Sequence, residues 1–543
     1  MKKILILLIL IFTLGACSIQ TDNNVAINDE KTSDKQSNNS INIGDNYTKE
    51  RLVAAFNKEN LEESDFSNLT EIYIVKDQIY LTSDYQNNYD PEDDYDFHVG
   101  ELDYLTYDGG IDCSFLKYCN NLEHLEIYGE SNIDFSIINN LSKIASLTIY
   151  GCDLKMFPDL SSLKKLNNLK INQCQIIDIE AASTLTNLES LELNDNGISN
   201  LKPLANLTQL KSLSLKEQVS DFENGASLKD ISTLANLVNL ENLDLSINQI
   251  SDFSVLKNLR KVKSLDLGLQ IIDEVVDVKD ISNLISLEDL NLQNLSLEDS
   301  SFLKNLVNLE KLNFSGNKII RKNNDGNNNQ MSLDLNDLTL LKKLKTLDIS
   351  YASIDSLSAM PSLTNLESLD VSGNLFDNLS GLEKLENLKY LEATSNVNLD
   401  NIDALTALSN LESINLSNDK ISDIKALSNH SKLISLQISY YSSDMKSSDM
   451  QDVTALENNI NLEKLVIDNY QSINDYSILN NFTNLKYLSL VNSNVKEISW
   501  LNSLPELEYL NLNGNNIADL SLLDKLSNIK EIHVGEEDGP TEM

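Results

Sequence analysis

Histidine is nearly absent from this chain: His98, His124, His430 and His533 are the only four in 543 residues, and they are widely separated. No G-x-S-x-G elbow, phosphate-binding loop, H-E-x-x-H or C-x-x-C occurs, so the constellations behind the common hydrolytic, nucleotide, zinc and dithiol chemistries are missing. Positive charge is also short. Lysine and arginine number 42 against 83 acids, a net charge of −41, which argues against nucleic acid and against adhesion to anionic lipid through the body of the chain. Cysteines number five, glycines 17 and prolines 6. What remains is apolar, at 41%, enough to build a core.

That apolar content is periodic. In Leu185–Leu210, LTNLESLELNDNGISNLKPLANLTQL, Leu191 and Leu193 alternate with Glu192 as in a strand with one face buried. From Ile198 the spacing becomes three, so the backbone has left the strand and is turning. A short strand, a bend at Asn196 and a return in turns of three make one coil of a solenoid. The coil repeats every 22 residues: LEHLEI (Leu122), IASLTI (Ile144), LNNLKI (Leu166), LESLEL (Leu188) and LKSLSL (Leu210). Further strand cores start at Leu240, Val262, Leu287, Leu309, Leu344, Leu366, Leu388, Leu411, Leu433, Leu462, Leu485, Leu507 and Ile529, and LTEIYI (Leu69) and LDYLTY (Leu102) bring the total to about 20 coils.

The period and the pattern L-x-x-L-x-L-x-x-N/C-x-L identify a leucine-rich repeat. One coil cannot bury its leucines, so stacked coils share a continuous core. Asn196 stands where the chain leaves the strand, and its amide can satisfy backbone groups unpaired by the bend. Asn248, Asn317, Asn374, Asn396 and Asn515 hold the same place, and Cys152 and Cys174 replace it as small buried side chains. The expected fold is an α/β solenoid: a curved array over residues 69–537 with a concave parallel β-sheet, short 3-10 and turn segments on the convex side, and an arc of roughly 95 Å. The 22-residue coil, with Leu204-Ala-Asn-Leu207-Thr in its convex segment, resembles the internalin-type subclass of bacterial leucine-rich repeats. That resemblance implies a cell-surface protein that binds other macromolecules, sometimes host receptors. The Leu-Pro-x-Thr-Gly sorting signal, a wall-binding module and an immunoglobulin-like segment are not found in this sequence.

The N-terminus suggests an anchor. MKKILILLILIFTLGAC has a charged start, an apolar run too short to span a membrane and small residues before Cys17, the pattern of a secretory signal. Leu14-Gly-Ala-Cys17 resembles a bacterial lipobox, which implies cleavage after residue 16 and lipidation of Cys17, and more than one acyl chain makes anchoring stable. Residues 17–46, polar and poor in large apolar side chains, are expected to be a disordered tether. Residues 47–68 are expected to be a helical cap, with Leu52, Val53 and Phe56 on one side and Thr48 as a candidate helix cap. Residues 538–543 are a short tail. The implied location is the extracytoplasmic face of a cell membrane or outer membrane.

No cofactor and no metal site is expected. The acidic run Asp90-Pro-Glu-Asp-Asp-Tyr-Asp has calcium-type ligands but is read as a solvated charge run. Cys113 and Cys119 are close enough in sequence for a local disulfide, which stays open. His124 and His533 are expected to point from strands into solvent.

Binding is expected on the concave strands, whose side chains between the leucines face outward. Their middle column runs Glu126, Thr148, Lys170, Glu192, Ser214, Asp244, Asp266, Asn291, Asn313, Asp348, Asp370, Glu392, Asn415 and Gln437, with seven acids to one lysine, a stripe suited to a basic partner. Tyr128 with Tyr150, and Tyr487 with Tyr509, fall on equal positions of neighbouring coils and are expected to form exposed aromatic ledges; Tyr390 lies in the latter column. Coils lengthened by 8, 3, 13 and 7 residues place their insertions at one phase, and the largest contains Asn323–Asn329, a run expected to be mobile. The expected function is a membrane-anchored module that binds a host or bacterial surface protein and no nucleic acid. The rivals are a spacer without a specific ligand and an enzyme of unrecognised type.

Overall fold

The computed structural model describes residues 41–535 except 42, 44, 77, 82–110, 130–132, 219–226, 274, 298, 323–327, 332 and 441–449; the backbone alone is described at 318–322 and 328–331. Cys17 and the signal and tether regions up to residue 40, the acidic run at 90–96, His98 and the strand core at Leu102 lie outside the described residues. Residues 41–543 form one compact unit.

Twenty strands make one sheet. Nineteen of them pair in parallel from coil to coil, as Ser190–Glu192 does with Ser212–Ser214 in the register Leu191↔Leu213. The leucines whose spacing first marks the coil, Leu191, Leu193, Ile198, Leu201, Leu204 and Leu207, are all buried in a core that runs from Ile43 to Leu512. Burying each such side chain contributes about 1.5–3 kcal/mol, and no single coil could do it alone. The strand β1 (Glu71–Val75) pairs directly with His124–Tyr128.

The start of the solenoid is capped by the helices α1 (Asn46–Phe56) and α2 (Glu63–Phe66) and by β2 (Gln78–Tyr80), the one strand among the described residues that joins this sheet antiparallel. The helix cap is Asp45, not Thr48: the Asp45 carboxylate accepts from the Thr48 amide at 2.7 Å. Thr48 instead lies in the first turn, fully buried, and its hydroxyl accepts from the Asp112 amide at 2.8 Å. The ordered body also begins earlier than residue 47, because Ile43 is buried against the core.

Asn196 shows what the bend requires. Its Oδ1 accepts from the amides of Cys174 and Ile176, and its Nδ2 donates to the carbonyls of Ile171, Leu193 and Asn194. One fully buried amide therefore joins two coils. Asn248, Asn317, Asn374, Asn396 and Asn515 repeat the pattern, and Gln218 and Gln270 reach the same groups. Cys152 and Cys174 are buried in this column, with the Cys174 sulfur 3.1 Å from the Asn172 carbonyl. Cys113 and Cys119 are buried in the N-terminal core, their sulfurs directed at the carbonyls of Ile111 and Phe115, and burial pushes the Cys119 thiol up to about 12.

Two further columns are visible only in three dimensions. Asn187, Asn239, Asn308, Asn365, Asn387 and Asn484 each donate to a backbone carbonyl of the preceding coil. On the convex side an aspartate precedes most 3-10 turns and accepts from the amide two residues on: Asp230 from Ser232, Asp252 from Ser254, Asp299 from Ser301, Asp475 from Ser477 and Asp519 from Ser521. Much of the chain's negative charge thus serves its turns.

Candidate binding face

The middle column of the concave strands is half-buried and tied to the backbone. Asp244 accepts from the Ser246 amide and hydroxyl, Asp266 from the Gly268 amide and the Asn291 side chain, Asp348 from the Ser350 amide and Asp370 from the Ser372 amide. Asn313 and Asn415 make the same bond, which explains why aspartate and asparagine alternate here. Burial pushes the Asp266, Asp370 and Glu392 carboxyls above their usual range, and the neighbouring carboxylates Asp244, Asp348 and Asp370 add to the effect in turn. Asp348, Asp370 and Glu392 are in direct register on three adjacent strands, about 4.8 Å apart.

The aromatic pairs divide. Tyr487 and Tyr509 stack face to face, ring centres 4.1 Å apart and planes 3° from parallel. The Lys464 ammonium sits 5.0 Å from the Tyr487 ring centre, and the His533 ring lies 5.6 Å from that of Tyr509. Both outer faces are thus occupied, and edges and hydroxyls are what this half-buried ledge offers. Tyr128 and Tyr150 do not make an exposed ledge. Tyr128 is buried with Tyr73 and Val75, Tyr150 covers it at 5.8 Å, and the Tyr128 hydroxyl donates to Glu126, which also holds His124 at 2.7 Å. The cause is β1, whose side chains pack beside that column. His124 and His533 point to the concave side, but each is bound to a glutamate, His533 to Glu531.

A different group of side chains is more open. Tyr351 is 58% exposed, Leu375 53%, Val397 54% and Tyr390 46%. Tyr351, Leu375 and Val397 stand at the end of three adjacent strands, where the chain turns down from the sheet. Tyr390 stands at the strand start, its hydroxyl 3.2 Å from Glu412. Between the two sides lie Asp348, Asp370 and Glu392. Tyr351 also occupies a strained position. The residue before the conserved bend has left-handed backbone in coil after coil, at Asp195 (φ 53°), Asn294 (55°), Gly316 (65°) and Gly373 (65°), and Tyr351 adopts it at 51°. That conformation costs a bulky residue about 1–2 kcal/mol and suits glycine or asparagine. The same left-handed backbone recurs at Gln173, Glu217, Ile247, Leu269 and Ser395, so what marks Tyr351 is its exposure, which the strand columns alone did not signal.

The largest insertion is not a free loop along its whole length. Lys318–Lys322 pairs antiparallel with Asn328–Met331, and Lys318–Lys322 also runs parallel to Ser296–Leu297, making a second, three-stranded sheet. The extra residues extend the edge at which each coil leaves the concave face, so the main chain had partners there. Residues 323–327, at the tip, lie outside the description, as do most of the insertions at 219–226 and 441–449.

Comparison with known proteins agrees with this architecture. The leucine-rich repeat region family matches residues 322–539. No curated protein matches the chain. Among solved structures, the chain is similar to an internalin (inlF) of Listeria monocytogenes at 24% identity, over 74% of this chain and 89% of that one, with a TM-score of 0.36. It is similar to a leucine-rich-repeat protein of Leptospira interrogans at 21% identity over 65% and 91%, with a TM-score of 0.49. It is also similar to TLR13 in a complex with single-stranded RNA, at 19% identity over 79% and 68%, with a TM-score of 0.50. The fold of this chain is a leucine-rich-repeat solenoid.

Proposed function

We propose that the protein is a lipid-anchored, extracytoplasmic module that binds a surface protein of a host or a bacterium through the concave face around Asp348, Asp370 and Glu392. The observation that carries the site is the gathering of Tyr351, Leu375, Val397 and Tyr390, all about half exposed, on either side of that carboxylate row. Ile271, Ile285 and Ile460 are as exposed elsewhere on the solenoid, so the position beside the carboxylate row, and not exposure alone, sets this group apart, and Tyr351 gains no backbone ease from being there. Large side chains beside partly desolvated charge are the usual make-up of a binding hot spot. The carboxylates select a partner with basic groups and favour its arrival at low salt. The lipidation of Cys17 supplies the anchor, and residues up to about 40 the tether.

TLR13 is known here in complex with single-stranded RNA; a net charge of −41 opposes that choice of ligand for this chain. The spacer alternative draws on the aspartates' bonds to the backbone, which give them a structural reason to exist. Retention on immobilised residues 41–543 separates the two. A binding module holds a basic host or bacterial surface protein, and Asp348→Asn with Asp370→Asn and Glu392→Gln releases it. A spacer retains nothing that those changes release.

A further inference from the structure

The two ends of the solenoid differ. At the first, β1 is paired on both sides, and Leu52 and Phe66 of the capping helices are fully buried. At the other, the strand Glu531–His533 pairs only with Tyr509–Asn511 among the described residues. Its inward residue Ile532 is 37% exposed, whereas Leu510, its register partner, is fully buried. Leu520 is 43% exposed, and Leu523, Leu526 and Ile529 are half-buried; the residues one coil earlier, Ile498, Leu501, Leu504 and Leu507, are all buried.

We infer that this end is a self-association surface, and that two copies of the chain meet there tail to tail. An edge strand presents unused amides and carbonyls to another strand. A two-fold axis through Ile532, perpendicular to the sheet, pairs Glu531–His533 with the same strand of the second copy in antiparallel register. That register sets Glu531 of each copy opposite His533 of the other, both on the concave side. The same two side chains attract each other within one chain, at 2.5 Å. A carboxylate facing an imidazole N–H across strands stabilises a pair, and any other register loses one or both matches. The axis also lays core on core: Ile532 meets its own copy, and the exposed leucines of the last coil are buried by their counterparts. Self-complementary contacts of this kind close as dimers.

Sedimentation equilibrium of residues 41–543, the compact unit, tests this over a wide concentration range. The chain should associate reversibly to a dimer. Ile532→Glu puts two carboxylates on the axis and should weaken association more than tenfold. Glu531→Lys alone should weaken it as well, by setting lysine against His533; adding His533→Glu should restore it. Restoration by the swapped pair decides the matter even if Ile532→Glu impairs folding. A monomer at all concentrations overturns the inference. So does a dimer indifferent to the single charge reversal.

Discussion

The ring of Tyr351 lies across Gly373: a β-carbon at residue 373 would come within 2.4 Å of the ring carbons. Gly373 has a left-handed backbone, and its missing side chain is what lets the ring lie over the neighbouring coil. Gly373→Ala should therefore displace Tyr351 and weaken partner binding more than tenfold. Tyr351→Gly relieves the backbone and should leave the thermal midpoint unchanged or higher while weakening binding as much. A loss of affinity confined to variants that also lose stability would show that Tyr351 is packing and not contact.

The repeat, its register and the buried leucines were legible because solenoid contacts are local: each residue meets its own column one coil away. Asn196 was legible for the same reason. The burial of Tyr128 was not, since it depends on β1, which pairs with His124–Tyr128 across an intervening segment longer than a coil. The hairpin at Lys318–Lys322 was missed because its sequence, rich in asparagine, has no alternation of apolar residues to mark a strand. Tyr351 stood in view, but its cost shows only once the column's left-handed backbone is known.

The asparagine column predicts a sharp asymmetry. Asn248 is fully buried, and its side chain makes bonds to the preceding coil and to its own. Asn248→Ala leaves the Gln218 amide and three carbonyls short of a partner and should cost about 2–4 kcal/mol. Denaturant unfolding measures it. A cost below about 0.5 kcal/mol would mean the coils do not depend on this amide.

Asp419 holds the same place with the wrong group. Its Oδ1 accepts from the Asn396 amide at 2.7 Å, its Oδ2 has no partner, and burial pushes the carboxyl up to about 9. Asp419→Asn supplies a donor and removes the ionisation, so it should stabilise the protein. Because the wild-type penalty grows as pH rises from the ordinary aspartate pKa, about 3.9, toward 9, the gain should be larger at pH 8 than at pH 5. A destabilising or pH-independent effect would contradict this.

Two sets of carboxyls set the pH profile. Hydrogen bonds from turn amides and hydroxyls hold Asp252, Asp475 and Asp519 below the usual range, so their contribution is present above about pH 3.9 and is lost as pH falls through the lowered values. Burial raises Glu217, with Asp195 beside it, to about 7 and Asp468 to about 6, and these cost stability as pH rises through that interval. The thermal midpoint should rise from about pH 8 to about pH 5 and drop below about pH 4. A maximum at pH 8 would be inconsistent with these shifts.

The proposed anchor rests on one residue, Cys17. Cys17→Ser should release the protein from the membrane fraction or leave the precursor uncleaved. Processing and membrane attachment as in the wild type would remove the lipid anchor from the account.

The affinity of the retained partner, measured for three variants, bears on the binding face most directly. Tyr351→Ala with Leu375→Ala should weaken binding more than tenfold with little change in thermal midpoint. Asp348→Asn with Asp370→Asn should weaken it most at low salt. Tyr487→Ala with Tyr509→Ala, on a ledge whose ring faces are already covered, should change it least. The reverse order, with the Tyr487 and Tyr509 variant losing binding and the Tyr351 and Leu375 variant unaffected, would move the site to the last coils and contradict the account.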